Sequence, residues 1–324
     1  MHSERLLARV VVIGMIGGGA GTLFSQTAHA DDTVLGPLAG SDTAIILGGT
    51  FESTPSTTFA QSAEDLYLHP LGFDDGATYS TVCDMVGTDP CAAPLQVLTT
   101  PELIQQGPSS LTAAEDVTLA VENEFNANPG AFSAEDPLTI FGYSQSATAE
   151  SLAMTQLEAD GIPSQDLHFV FIGDPSLADT GVWPNLVTDL DGIFGTTLTN
   201  TILSDLGFDG VLGNVTPTDL YPTTIYTLAG DGVANWQPDF NQGGLVESMV
   251  HLFTTHAEYL GLTPAEIAAG TTSTDPGSLI TNVDIPDTFN NVDAWIGALE
   301  HGIGSSGLFD SLFQSLELYF TNTF

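Results

Sequence analysis

The sequence predicts an α/β fold: a mostly parallel central sheet flanked by helices. Three observations predict it. Apolar, β-rich runs alternate with amphipathic helical stretches. The runs themselves, such as "TAIILGG" and "LHFVFIGD", are nearly continuous in apolar residues, as in strands buried on both faces. Hydrophobic residues make up 42% of the 324, and the mean hydropathy is positive, so the chain can bury a core despite a formal charge of −39.

Taken in order, residues 1–30 read as a secretory signal peptide. Arg5 and Arg9 give a positive start, Val10 to Phe24 an apolar stretch too short to span a bilayer, and Ala28-His29-Ala30 a small-x-small cleavage site. Residues 31–270 are expected to form one domain, and 271–324 an extension packing on it. "TAIILGG" (43–49) reads as a central strand closed by a glycine pair, and "PLQVLTT" (94–100) as a second. Between them Cys83 and Cys91 bracket "CDMVGTDPC"; in an exported protein their expected state is a disulfide. A helix over "SLTAAEDVTLAVENEFNANPG" is expected to start at Ser110 or Thr112 and to stop at Asn-Pro-Gly. "PLTIFGYS" is the next strand, "SATAESLAMTQLEAD" its helix and "LHFVFIGD" (167–174) the strand after it. Regularity then fails over 175–223, a long insertion between the last strands, too apolar for disorder and readable as a lid or as helices over a sheet edge. "TIYTLAGD" (224–231) resumes the sheet and helical "GGLVESMVHLFTTHAEYLGL" follows. The tail opens as a Thr/Ser/Asp/Pro/Gly linker and closes on amphipathic "GLFDSLFQSLELYF" (307–320).

Arg5 and Arg9 are the only basic residues among 41 acidic ones, so removing residues 1–30 leaves no Lys or Arg. Such a surface repels nucleic acid and anionic membranes, and neither is an expected partner. The carboxylates are scattered without metal-loop spacing, so no metal is expected.

"TIFGYSQSATAE" (139–150) carries the chemistry. A serine hydroxyl needs a base to take its proton, and one recurrent solution sets it on a tight strand-to-helix turn with small residues two before and two after. Gly142, Ser144 and Ser146 occupy those positions, so Ser144 is the candidate nucleophile. In that architecture the acid and the histidine follow, at the ends of later strands. Asp231 in "LAGDG" stands at the customary place for the acid, with Asp174 in "FIGDP" as the alternative. Of the histidines beyond it, His256 is preferred to His251, five residues away and on another helix face. With no Lys or Arg to help, the oxyanion must be held by backbone donors: Gln145 N–H at the helix start, and Thr50 or Phe51 after Gly48-Gly49.

The ordered set "LGGT", "GYSQSA", "GDP", "DGVA" and "HAEY" resembles the PE-PPE domain family of actinobacterial serine hydrolases, a cutinase-like branch of the α/β-hydrolases, from about Asp42 to Leu262. The resemblance implies an α/β-hydrolase-like fold, a Ser144–His256–Asp231 triad, no cofactor, and esterase or lipase activity on acyl esters or lipids outside the cell or in its envelope. Some relatives instead transfer fatty acyl groups between sugar lipids. A secreted binding protein that kept the fold and lost the chemistry is the remaining alternative.

Overall fold

In the computed structural model, which describes residues 36–76, 80–288 and 291–301, the strands alternate side chains between two buried faces. The strands are β1 (Ala44–Ile46), β2 (Val82–Asp84), β3 (Leu95–Val97), β4 (Leu138–Tyr143), β5 (Leu167–Ile172), β6 (Thr223–Leu228), β7 (Thr271–Ser273) and β8 (Ile280–Ile285). Leu138 and Ile140 of β4 with Phe169 and Phe171 of β5 face one way; Phe141, Tyr143, Val170 and Ile172 face the other. Burial on both sides is why these segments read as unbroken apolar runs.

The order is β2-β3-β1-β4-β5-β6-β8-β7, parallel throughout except for the β7–β8 pair. This is an α/β-hydrolase-like sheet, as expected. On one face lie α2 (Gln106–Ala127) and α3 (Gln145–Ala159), through Ala113, Val117, Val121, Ala153, Met154 and Leu157. On the other lie α1 (Thr57–Ala63) and the turn at Tyr259–Gly261, with α8 (Asn291–Glu300) behind it.

The insertion between β5 and β6 is helical. It holds α4 (Val182–Phe194) and α5 (Thr196–Asp205). With α6 (Trp236–Phe253) they build a third, smaller core of Trp183, Leu186, Leu190, Leu203, Val211, Val233 and Trp236. α7 (Pro264–Ala268) opens on a capping box, Thr263 with Glu266.

Three features differ from the sequence expectation. The helix expected from Ser110 or Thr112 begins at Gln106, so neither residue caps it; Gly107 N–H there donates to the Gly207 carbonyl, a contact with the insertion. β2 was not expected, because three residues carry no readable period. The segment expected as an extension after 270 supplies β7 and β8, and β8 pairs with β6 over six residues. Its polar Thr281, Asn282 and Asp284 hide a strand whose Ile280, Val283 and Ile285 are buried. Residues 1–30 and 307–320, the expected leader and amphipathic tail, lie outside the described residues.

Cys83 and Cys91 form a disulfide. No Lys or Arg is present among the described residues, so the ion pairs are histidines facing carboxylates. Among the same residues, no helix is long and apolar enough to cross a membrane, and no group of three or more His, Cys, Asp or Glu could hold a metal ion.

Candidate active site

β4 ends at Tyr143 and α3 begins at Gln145, so Ser144 alone makes the turn. It does so at φ 58°, ψ −112°, a conformation few non-glycine residues adopt. Packing on both sides holds it there. Ser146 contributes directly: its Oγ accepts the Tyr143 N–H (2.8 Å) and donates to the Tyr143 carbonyl (3.1 Å). Ser146→Gly, although smaller, takes away that acceptor; we expect a loss of about 1–2 kcal/mol in denaturant melts, and an unchanged midpoint would contradict it.

α6 ends at Phe253, and a 3-10 turn at Thr255–Ala257 swings His256 over the serine. His256 Nε2 lies 2.7 Å from Ser144 Oγ. Its Nδ1 lies 2.8 and 3.0 Å from the two oxygens of Asp231, which follows β6. With Nδ1–H donating to the carboxylate, Nε2 keeps the lone pair that can take the Ser144 proton.

Asp231 is fully buried. Burial alone would push its carboxyl up, but the charge and hydrogen bond of His256, with donation from Tyr259 and Val233 N–H, bring it below the usual range. Tyr259 OH donates to Oδ2 (2.7 Å) and Val233 N–H to Oδ1 (2.8 Å). Burial, with neighbouring carboxylates and phenols, pushes the Tyr143 and Tyr259 hydroxyls well above their ordinary range, so both remain donors. Tyr143 stacks on His256, ring centroids 5.4 Å apart, and its OH donates to the His256 carbonyl at 2.6 Å.

The other candidates point elsewhere. Asp174 accepts from Ser176 N–H (2.8 Å) and Thr216 Oγ1–H (2.6 Å), tying the end of β5 to the returning insertion. His251 Nδ1 faces Asp239 at 2.8 Å on its own helix. Phe51 N–H is already donated to the Glu102 carbonyl (2.8 Å), which leaves Thr50 as the candidate beside Gln145. The side chains join there: Thr50 Oγ1 donates to Gln145 Oε1 (2.9 Å), and Gln106 Nε2 reaches Thr50 Oγ1 (3.0 Å) and Gln145 Oε1 (3.1 Å). Gln145 N–H sits at the open amino end of α3, where backbone donors favour negative charge.

The PE-PPE domain matches residues 91–283, more than half of the chain and the part that contains Ser144, Asp231 and His256. The chain belongs to the PE-PPE domain family. Similar curated proteins include the uncharacterized PPE family protein PPE28 of Mycobacterium tuberculosis, 29% identical over 231 residues covering 69% of this chain and 30% of that protein. Esterase PE16 of the same organism is 28% identical over 258 residues, covering 77% of this chain and 41% of that protein. The chain thus spans less than half the length of these relatives. Among solved structures, a cutinase-like protein from Cryptococcus sp. gives a TM-score of 0.36 at 17% identity, covering 69% of this chain and 95% of that one.

Sequence reasoning passed over several residues that shape this PE-PPE site. Tyr143 lies inside the "GYSQS" motif, and its adjacency to the serine was the available signal. Gly173, at φ +60°, follows β5 close under the imidazole; a Cβ there would stand 2.8 Å from His256 Cε1. Gln106 gave no signal, because its partners lie 39 and 56 residues away.

Proposed function

We propose that this PE-PPE domain is a serine carboxylic ester hydrolase working through an acyl-enzyme. The observation that carries the reading is the unbroken line from Ser144 through His256 to Asp231, with the serine on a strained turn. His256 takes the Ser144 proton as Oγ attacks the ester carbonyl, and gives it to the departing alcohol. Gln145 and Thr50 N–H groups receive the oxyanion. Water, deprotonated by His256, then releases the acid; an acceptor alcohol in its place would make the same residues an acyltransferase. The name of Esterase PE16 supports ester hydrolysis as the chemistry.

Export with a leader over 1–30 belongs to the same reading, supported by the Cys83–Cys91 disulfide, since such bonds persist in oxidising compartments. The proposed catalytic domain runs from about residue 31 through β8.

A fluorophosphonate probe tests the assignment: the protein should be tagged, and Ser144→Ala should not. Tagging of both, or of neither, overturns it. A second expectation concerns Gln106, whose amide bonds Thr50 and Gln145 and would hold the two donors together. Gln106→Ala should lower kcat on a p-nitrophenyl ester by about tenfold with KM little changed, because donors that drift lose stabilisation of the transition state only. A change confined to KM would assign Gln106 to substrate binding instead.

A further inference from the structure

Among the described residues, the outer face of α6 is left uncovered. Val246, Met249, Val250 and Phe253 recur at i, i+3, i+4 and i+7, which places them on one side of the helix. They are 75%, 40%, 52% and 42% exposed. The opposite side packs on the acid loop: a Cβ at Gly232, next to Asp231, would stand 2.2 Å from the Ser248 carbonyl oxygen and 2.4 Å from Leu252 N. The stripe ends at Phe253, three residues before His256. The same three-helix unit exposes Ile193, Phe194 and Leu198 where α4 turns into α5. Four large apolar side chains in one uncharged row form a surface that gains free energy by leaving water.

Charge decides what covers it. A second copy would bring together two chains that each carry a formal −39, and anionic head groups meet the same repulsion. The four side chains of the stripe carry no charge; beside it His251 faces Asp239 and Glu247, and Glu247 stands half-exposed at its edge. An uncharged, acyl-rich surface fits, and it is also where a hydrolase of acyl esters meets substrate. We propose that the Val246–Phe253 face of α6 seats the protein on the uncharged surface of an acyl-lipid aggregate, with the His256 side of the site beside the contact. The inference rests on the ester-hydrolase reading for its purpose, but not for its test.

The test uses the full chain carrying Ser144→Ala, so that binding is read without turnover, and triacylglycerol droplets coated with phosphatidylcholine. Flotation should show saturable binding. Val246→Asp and Val250→Asp, both at exposed positions, should each weaken it several-fold and together by at least about tenfold. Replacing part of the phosphatidylcholine by phosphatidylglycerol should weaken binding at low salt, with recovery at high salt. In the catalytically intact chain the two substitutions should leave turnover of a water-soluble ester unchanged and lower turnover of an emulsified one about tenfold. Failure to float overturns the proposal, whether a second copy or residues 302–324 cover the face. So does equal binding by the double variant, or a concentration-dependent dimer that Val246→Asp dissolves. Binding to droplets by a chain inactive on every ester would leave this inference standing and sink the hydrolase reading instead.

Discussion

Ser144→Ala is expected to lower kcat on p-nitrophenyl esters by about four to six orders of magnitude. The size follows from the geometry. Once Oγ is gone, the neighbouring Ser146 hydroxyl cannot replace it, being buried and bonded to both the N–H and the carbonyl of Tyr143. His256→Ala should cost about as much, and the double variant little more, since in the proposed mechanism nucleophile and base would act as one unit. Asp231→Asn should retain the fold and still lose about four orders of magnitude, by favouring the wrong imidazole tautomer. Steady-state kinetics across the parent and the four variants, with unfolding curves to confirm folding, provides the measurement. A Ser144→Ala protein within tenfold of its parent, or losses that simply add, would rule out the triad.

The second large effect is on stability at alkaline pH. Beneath the serine turn lie acids with no Lys or Arg among the described residues to neutralise them. Glu150 is fully buried with neither oxygen hydrogen-bonded among the described residues, and Oε1 lies where a Cβ on Gly142 would come within 2.5 Å of it. Burial, and then the nearby carboxyls of Glu102 and Asp174, push it well above the usual carboxylate range. Burial raises Glu102 to about 8 even though Thr100 Oγ1–H donates to its Oε1 (2.8 Å). Burial likewise raises Asp174 to about 6.

A carboxyl whose folded pKa exceeds its unfolded one contributes its stability fully below the unfolded value, near 4.5 for Glu102, and loses it as pH rises through the folded value. For Glu102 alone that loss is complete above about 8, and is on the order of 5 kcal/mol. Urea midpoints should therefore fall as pH rises from 5 to 9. Glu102→Gln and Glu150→Gln, neutral at every pH, should flatten that fall. Asp231 runs the other way: its lowered pKa gives stability that disappears in strong acid. Parallel curves for parent and both variants between pH 5 and 9 would contradict the assignment.

Much of this molecule is legible in sequence because the relevant signals are local. β4, β5 and β6 show as apolar runs, and α3 as the helix that must follow a strand-ending serine. The serine turn needs only five consecutive residues to be recognised. Where the chain was misread, the local signal was weak. β8 alternates buried Ile280, Val283 and Ile285 with polar neighbours in a Ser/Thr/Asp-rich stretch, and only pairing with β6 makes it a strand. The start of α2 depends on Gly207, a hundred residues downstream of Gly107.

The sequence by itself determined the sheet-and-helix alternation, the serine on its turn, and the order in which acids and histidines follow it. These are written in residue type and short spacing, which hydrophobic periodicity and turn chemistry read directly. Only the tertiary structure decided which acid and which histidine face Ser144, that Thr50 rather than Phe51 has its N–H free of the Glu102 carbonyl, and that Tyr143, Tyr259 and Gly173 fix the imidazole. Those choices turn on side-chain and backbone contacts between residues 25 to 113 apart in the chain. The alignment of β4, β5 and β6 in the sheet, with the turn after α6 that carries His256, makes those contacts, and no stretch of the chain encodes them alone.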